Sequence, residues 1–113
     1  HPATRVFQAL RIHVNQELAH IETLMQCVPQ CLEPGGRFVC VSFHSLEDAT
    51  VKRFLKQGHE AAMPLSRYVP EMPDNDAKVI WSKISKKALQ PTDIECQNNP
   101  RARSAKLRWA FRS

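Results

Sequence analysis

The sequence predicts an α/β fold, an open sheet with helices packed against it, and three observations carry that expectation. Segments with apolar residues at helical spacing alternate along the chain with short apolar runs, in the order helix, strand, helix, strand, short helix, strand. The run Arg37 to Phe43 is apolar at Phe38, Val39, Cys40 and Val41 without alternating, the habit of strands covered on both faces, as in parallel sheets. A content of 42% hydrophobic and 24% charged residues in 113 is that of a folded domain and excludes disorder, while no apolar run approaches the ~18 residues of a membrane span.

The first helical pattern runs through Phe7, Leu10, Val14, Leu18, Ile21, Met25, Val28 and Leu32, at steps of three or four. That is one face of a long helix, or of two in line, packed on one side with His13, Glu17, His20 and Glu22 off the face. His13, Glu17 and His20 have a ligand-like spacing, but a solvated face accounts for them. Pro2 and Thr4 suit the start, Pro29 is expected to kink or end the helix, and Pro34-Gly35-Gly36 to close it off. After the Arg37 to Phe43 strand, Ser45 and Asp48 form a capping pair for a helix carrying Leu46, Val51, Phe54 and Leu55, which Gly58 closes.

Periodicity then disappears from His59 to Ala77. Pro64, Pro70 and Pro73 with Asp74-Asn75-Asp76 mark a loop of about twenty residues, long enough to be functional or mobile. Lys78 to Ser85 reads as a second strand, and Thr92 with Glu95 as the capping box of a short helix ending near Asn98. Ser104 to Arg112 alternates, with Ala105, Leu107, Trp109 and Phe111 on one face and Lys106, Arg108, Ala110 and Arg112 on the other. It is expected to be a half-exposed strand near an edge. The last strands are free to run antiparallel. Three strands are few for a sheet that buries Arg37 to Phe43 in its interior, so further strands are expected upstream of His1. The absence of an initiator Met or leader agrees with a piece of something longer.

The net charge is +5, and the excess sits at the end: Arg101, Arg103, Lys106, Arg108 and Arg112 occur with no acid after Asn99. Such an end fits a polyanion, most simply nucleic acid, or a solvated Arg-rich strand. The turn Asn99-Pro100-Arg101-Ala102-Arg103-Ser104 presents two arginines, as phosphate ligands or as partners of structural carboxylates. Cys27, Cys31, Cys40 and Cys96 lack the spacing of a zinc set and are expected to be reduced, Cys40 as a small hydrophobe; no metal is expected. The three glycines form no phosphate-binding loop, and neither Ser42 nor Ser45 lies in a nucleophile elbow. Ligands of open α/β sheets sit beyond the carboxyl ends of strands, which singles out Ser42-Phe43-His44-Ser45-Leu46-Glu47-Asp48. Here capping explains Ser45 and Asp48, whereas His44 stands open between a site residue and a loop hydrogen-bonder. His1-Pro2-Ala3-Thr4-Arg5 reads as a helix cap or a substrate-facing corner, with His1, Thr4 and Arg5 as candidates.

Several of these segments together resemble a known family. HPATRVFQALRI at His1 to Ile12, VNQEL at Val14 to Leu18, PGGR at Pro34 to Arg37, SFHSLED at Ser42 to Asp48, VKRF at Val51 to Phe54 and NPRARSAKLR at Asn99 to Arg108 are similar, in order, to the C-terminal part of the MraW family of rRNA methyltransferases. Ala49-Thr50 and His13 depart from the family pattern, and His59 to Ala77 matches loosely.

The resemblance implies an S-adenosylmethionine-dependent enzyme that methylates the N4 amino group of a cytidine in small-subunit (16S-type) rRNA. It also implies a class I, Rossmann-like methyltransferase sheet, of which residues 1–113 would be the C-terminal part of one domain. The cofactor's glycine-rich loop and acidic ribose ligand belong to the N-terminal part, so no cofactor residue is assigned here. Ser42, His44 and Ser45 are pocket candidates with no catalytic role assigned, and Arg101, Arg103, Lys106 and Arg108 are candidates for the rRNA backbone. The family points to bacterial cytoplasm, or to mitochondria for a eukaryotic homologue. The alternative is a non-enzymatic basic RNA-binding module.

Overall fold

The computed structural model describes residues 1–60 and 79–113. Its elements are α1 (Pro2–Asn15), α2 (Glu17–Cys31), β1 (Arg37–Ser42), α3 (Ser45–Glu60), β2 (Trp81–Ile84), α4 (Asp93–Asn98), a 3₁₀ turn (Pro100–Ser104) and β3 (Lys106–Arg112). The expected loop from His59 to Ala77 begins inside α3, and its remainder, like Lys78, lies outside the described residues.

The N-terminal pattern makes two helices, and the break is not at Pro29. Gln16 adopts the left-handed conformation, φ 50°, and its N–H donates to the carbonyls of Ile12 and His13, which ends α1; α2 restarts at Glu17. Pro29 is accommodated in the last turn of α2, where little helix remains to be broken, and its carbonyl accepts the Arg112 Nε–H at 2.9 Å. The apolar face of α1 is also not covered as expected. Ile12 is buried, whereas Phe7 is 69% and Val14 75% exposed.

The three strands form one sheet in the order β1-β3-β2, with β3 antiparallel to both neighbours. The expectation that β3 lies near an edge is therefore overturned. In this chain β1 is an edge strand with Val39 58% exposed, and β3 is the central strand. The inward face of β3 is also the more polar one, since Arg108 and Ala110 are buried while Leu107, Trp109 and Phe111 remain half-exposed. Two causes act together. Ala110 is small enough to let α3 approach the sheet, and Arg108 finds a carboxylate on that helix.

The core lies between α2, α3 and this face, built from Met25, Val51, Leu55, Trp81 and Ala110, with Ile21, Val28, Leu32, Phe38 and Ile84 packed around them. Phe38 stacks on Trp81 with ring centroids 5.9 Å apart. The same indole sits against Gly58, which lies within α3 instead of closing it and leaves no room there for a β-carbon. On the opposite face Arg37 lies over the Phe111 ring at 5.4 Å and Lys83 over Trp109 at 5.9 Å. Among the described residues no helix is long and apolar enough to cross a membrane.

Gly58→Ala tests the helix–indole contact. A β-carbon there would meet Trp81 Cδ1 at 2.6 Å, in a side chain that is itself fully buried and unable to swing away. Overpacking of roughly 1–3 kcal/mol outweighs the ~1 kcal/mol that alanine contributes in helix propensity. The expected outcome is a lower urea midpoint, whereas a gain in stability would show that the indole yields.

Candidate functional site

Because β1 and β2 both run antiparallel to β3, they are parallel to each other, and their carboxyl ends share one end of the sheet. Ser42 closes β1 there, opposite Lys106 in the register, and the arginine turn leads directly into Lys106. The polar loop after β1 and the basic turn before β3 thus come together from opposite halves of the sequence.

The start of α3 fixes the loop. His44 is its capping residue: the Glu47 N–H donates to His44 Nδ1 at 3.3 Å, and Glu47 Oε2 reaches back to accept the Phe43 N–H at 3.1 Å. This is a capping box one residue earlier than Ser45 and Asp48 suggested, so His44 has a structural duty that its sequence position did not reveal. Since Nδ1 accepts a backbone proton, the neutral ring carries its own proton on Nε2. That nitrogen is buried, 3.1 Å from Glu47 Oε1 but not aligned with it as a hydrogen bond. Glu17 lies close by, and ligand atoms of Glu17, His44 and Glu47 fall within 4.8 Å of one another. A cation there would need a lone pair that Nε2 does not offer in this tautomer. Glu17 already accepts from Arg11 at 3.3 Å, so ion pairing explains the cluster without a metal. His13 and His20, which the ligand-like spacing grouped with Glu17, are exposed and take no part.

Asp48 does not cap α3. Its carboxylate accepts a bidentate pair from Arg108, Nε to Oδ1 at 2.6 Å and Nη2 to Oδ2 at 3.0 Å, with the two residues only 7% and 6% exposed. Arg108, a candidate for the RNA backbone, therefore faces the interior and is committed to Asp48. The Arg108 hydrogen bonds hold the Asp48 carboxyl below the usual carboxylate range, burial opposes this, and the charges of Arg108, Lys106 and Lys52 add to the lowering. Burial pushes the Cys40 thiol up, and the nearby Glu47 and Asp48 carboxylates push the same way, so Cys40 behaves as a small hydrophobe.

The other candidates are distributed as follows. Ser42 is buried and Ser45 exposed at the loop. Arg101 and Arg103 are exposed on the 3₁₀ turn, which Asn99 caps by accepting the Arg101 N–H at 3.2 Å, and Lys106 is half-buried at the end of β3. Thr92 caps α4 by accepting the Glu95 N–H at 3.2 Å, as its spacing predicts. His1 caps α1 through Nδ1, 3.1 Å from the Ala3 N–H, while Thr4 and Arg5 are exposed on its first turn. No glycine cradle faces this end of the sheet. Gly35 and Gly36 turn into the opposite end of β1, and Gly58 is occupied by Trp81.

Asp48→Asn leaves the Arg108 guanidinium buried without its counter-charge, at a cost of about 3 kcal/mol at neutral pH. The depressed carboxyl supplies stability that is present above its unfolded value, near pH 4, and is lost as pH falls through the folded value. Urea unfolding of parent and variant is thus expected to differ most at pH 7 and to converge below about pH 4; parallel profiles would remove the pair from the acid response.

The whole chain, residues 1–113, matches the model of the MraW methylase family. It is 50% identical over 113 residues to a protein of Paramagnetospirillum magneticum named Ribosomal RNA small subunit methyltransferase H, covering 99% of this chain and 35% of that one. Proteins of the same name from Caulobacter vibrioides and a Synechococcus strain are 48% and 47% identical, covering all of this chain and 36% and 29% of theirs. The chain spans about a third of the length of the relatives it matches. A family match along every residue, with the polar loop and the arginine turn meeting at one end of the sheet, leads to one conclusion: this chain belongs to the MraW methylase family.

Proposed function

We propose that the chain is the C-terminal part of an S-adenosylmethionine-dependent methyltransferase acting on the N4 amino group of a cytidine in small-subunit rRNA. The observation that carries this reading is the convergence of Ser42-Phe43-His44-Ser45 and Arg101-Ala102-Arg103 at one sheet end, in a chain whose relatives are named rRNA small subunit methyltransferases. The edge of β1 that has no partner strand among the described residues, and its exposed Val39 and Val41 face, support its membership of a wider, Rossmann-like sheet. An enzyme of this kind acts in the cytoplasm of bacteria.

S-adenosylmethionine, when bound, supplies the methyl group; the residues of this chain do not fit its cradle, for want of a glycine-rich turn at the site end, and its ligands are assigned outside the chain. What the chain contributes is placement. The N4 lone pair of cytosine is delocalised into the ring, so transfer needs an unstacked base held in line with the methyl donor. His44 spends Nδ1 on the Glu47 N–H and keeps Nε2 buried, so its part is to hold the loop in place and it does not suit taking up the amino proton. Ser42 and Ser45 flank it, and His1, Thr4 and Arg5 are carried as substrate-facing candidates on α1. Arg101 and Arg103, exposed on a rigidly capped turn, hold the backbone, with Lys106 beside them.

The test is transfer of labelled methyl from S-adenosylmethionine to small-subunit rRNA by the protein carrying this chain. N4-methylcytidine found by mass spectrometry of the digested RNA is the expected product, and methylation elsewhere, or none, refutes the reading. The isolated 113-residue chain is expected to be inactive and to give no micromolar heat of binding with S-adenosylmethionine; such binding would place the cofactor site within it.

A further inference from the structure

A cavity of about 470 Å³ opens between α3 and the end of β2, away from the arginine turn in sequence. Lys52, Lys56 and His59 line it from α3, and Ser85 and Lys86 from the segment that follows β2, while Leu55 and Ile84 supply apolar walls. Its charges are unevenly committed. Lys83 borders it, but its ammonium lies over the Trp109 ring on the far face of the sheet, and Arg108 is neutralised by Asp48. Among the described residues Glu60 is the one carboxylate in the lining, and it stands 3.8 Å from Lys56. Lys52 and Lys86 have no carboxylate partner among the described residues. A cleft with one excess sign of charge and low-dielectric walls concentrates its field on an incoming ion of the opposite sign.

The position is as informative as the charge. β2 runs parallel to β1, so Ser85 and Lys86 follow at the same sheet end as His44 and Ser45, and Lys52 lies two turns into the helix that His44 caps. We infer that this cavity is a second anchor for the RNA substrate, binding backbone phosphates through Lys52, Lys56 and Lys86 at the sheet end where the His44 loop also lies. Together with Arg101 and Arg103 it gives the substrate strand two separate basic contacts at that end, at the start of β3 and beyond the end of β2. This inference rests on the RNA-methyltransferase reading and names residues that the basic C-terminal run did not include.

The experiment is fluorescence anisotropy of a labelled small-subunit rRNA transcript with the protein carrying this chain, across a series of salt concentrations. Each phosphate contact to a single strand contributes about 0.7 to the slope of log affinity against log salt. The Lys52→Gln, Lys56→Gln, Lys86→Gln triple variant is expected to bind about tenfold or more weakly at 0.1 M salt, with the slope shallower by about one to two. All three side chains are exposed, so its unfolding midpoint is expected to stay at that of the parent. Lys52→Arg with Lys86→Arg is expected to restore both affinity and slope. The single Gln variants, read for slope alone, serve the same test if the triple variant does not fold. Parental slope and affinity in the Gln variants would overturn the cavity while leaving the RNA reading in place; absence of RNA binding by the parent would overturn both. Equal competition by millimolar inorganic phosphate against parent and triple variant would also overturn it, because an anion site in the cavity must be lost with its lysines.

Discussion

The buried pair of Asp48 and Arg108 ties the first turn of α3 to the central strand across sixty residues of sequence. Taking both charges out of water is costly, and their mutual attraction about offsets that cost, so the pair is better understood as a device of specificity than as a source of net stability. Its geometry leaves little freedom. A planar guanidinium that must present two N–H groups to one carboxylate fixes the register of α3 over β3, and with it which face of β3 turns inward. Trp81, Phe38 and Leu55 then close around Ala110, the small residue two places along the same face.

That orientation has consequences at the sheet end. Once Arg108 faces α3, its neighbours two by two are set: Lys106 lies on the same face beside Ser42, and Leu107, Trp109 and Phe111 take the other with Arg37 and Lys83 over their rings. The loop after β1 is held independently, by the His44 and Glu47 capping box. Two local constraints, one at the helix start and one a turn further along it, thus immobilise the polar residues that the proposed reaction uses for placement. The backbone proton that His44 accepts on Nδ1 leaves the ring's own proton on the buried Nε2.

The apolar surface has a different meaning from the polar one. Phe7, Leu10 and Val14 on α1, Val39 and Val41 on β1, and Phe43 and Leu46 at the loop are all exposed in this chain. Exposed apolar groups on helix, strand and loop together exceed what isolated surface residues require and have the character of contact surface. In the proposed enzyme they face the remainder of the transferase, and the basic cavity and arginine turn are left to the RNA.

The sequence by itself determined what depends on neighbours in the chain. The Thr92 cap of α4, the punctuation at Pro34-Gly35-Gly36, the strand at Arg37, the family motifs and the polar character of Ser42 to Asp48 are all local patterns, readable from spacing and residue type. Tertiary structure decided what depends on partners far away. Alternation in β3 defines two faces but not which is buried, and size alone favours the face of Trp109 and Phe111. The opposite face went inward because Asp48 stood ready to satisfy Arg108 and because Ala110 let the helix come close. Likewise the break at Gln16, the survival of Pro29 inside α2 and the placing of Gly58 under Trp81 follow from packing and from carbonyls that Arg112 and the cap residues satisfy. A side chain's chemistry is written in one position of the chain; whether it reaches solvent is settled by the residue that lies against it.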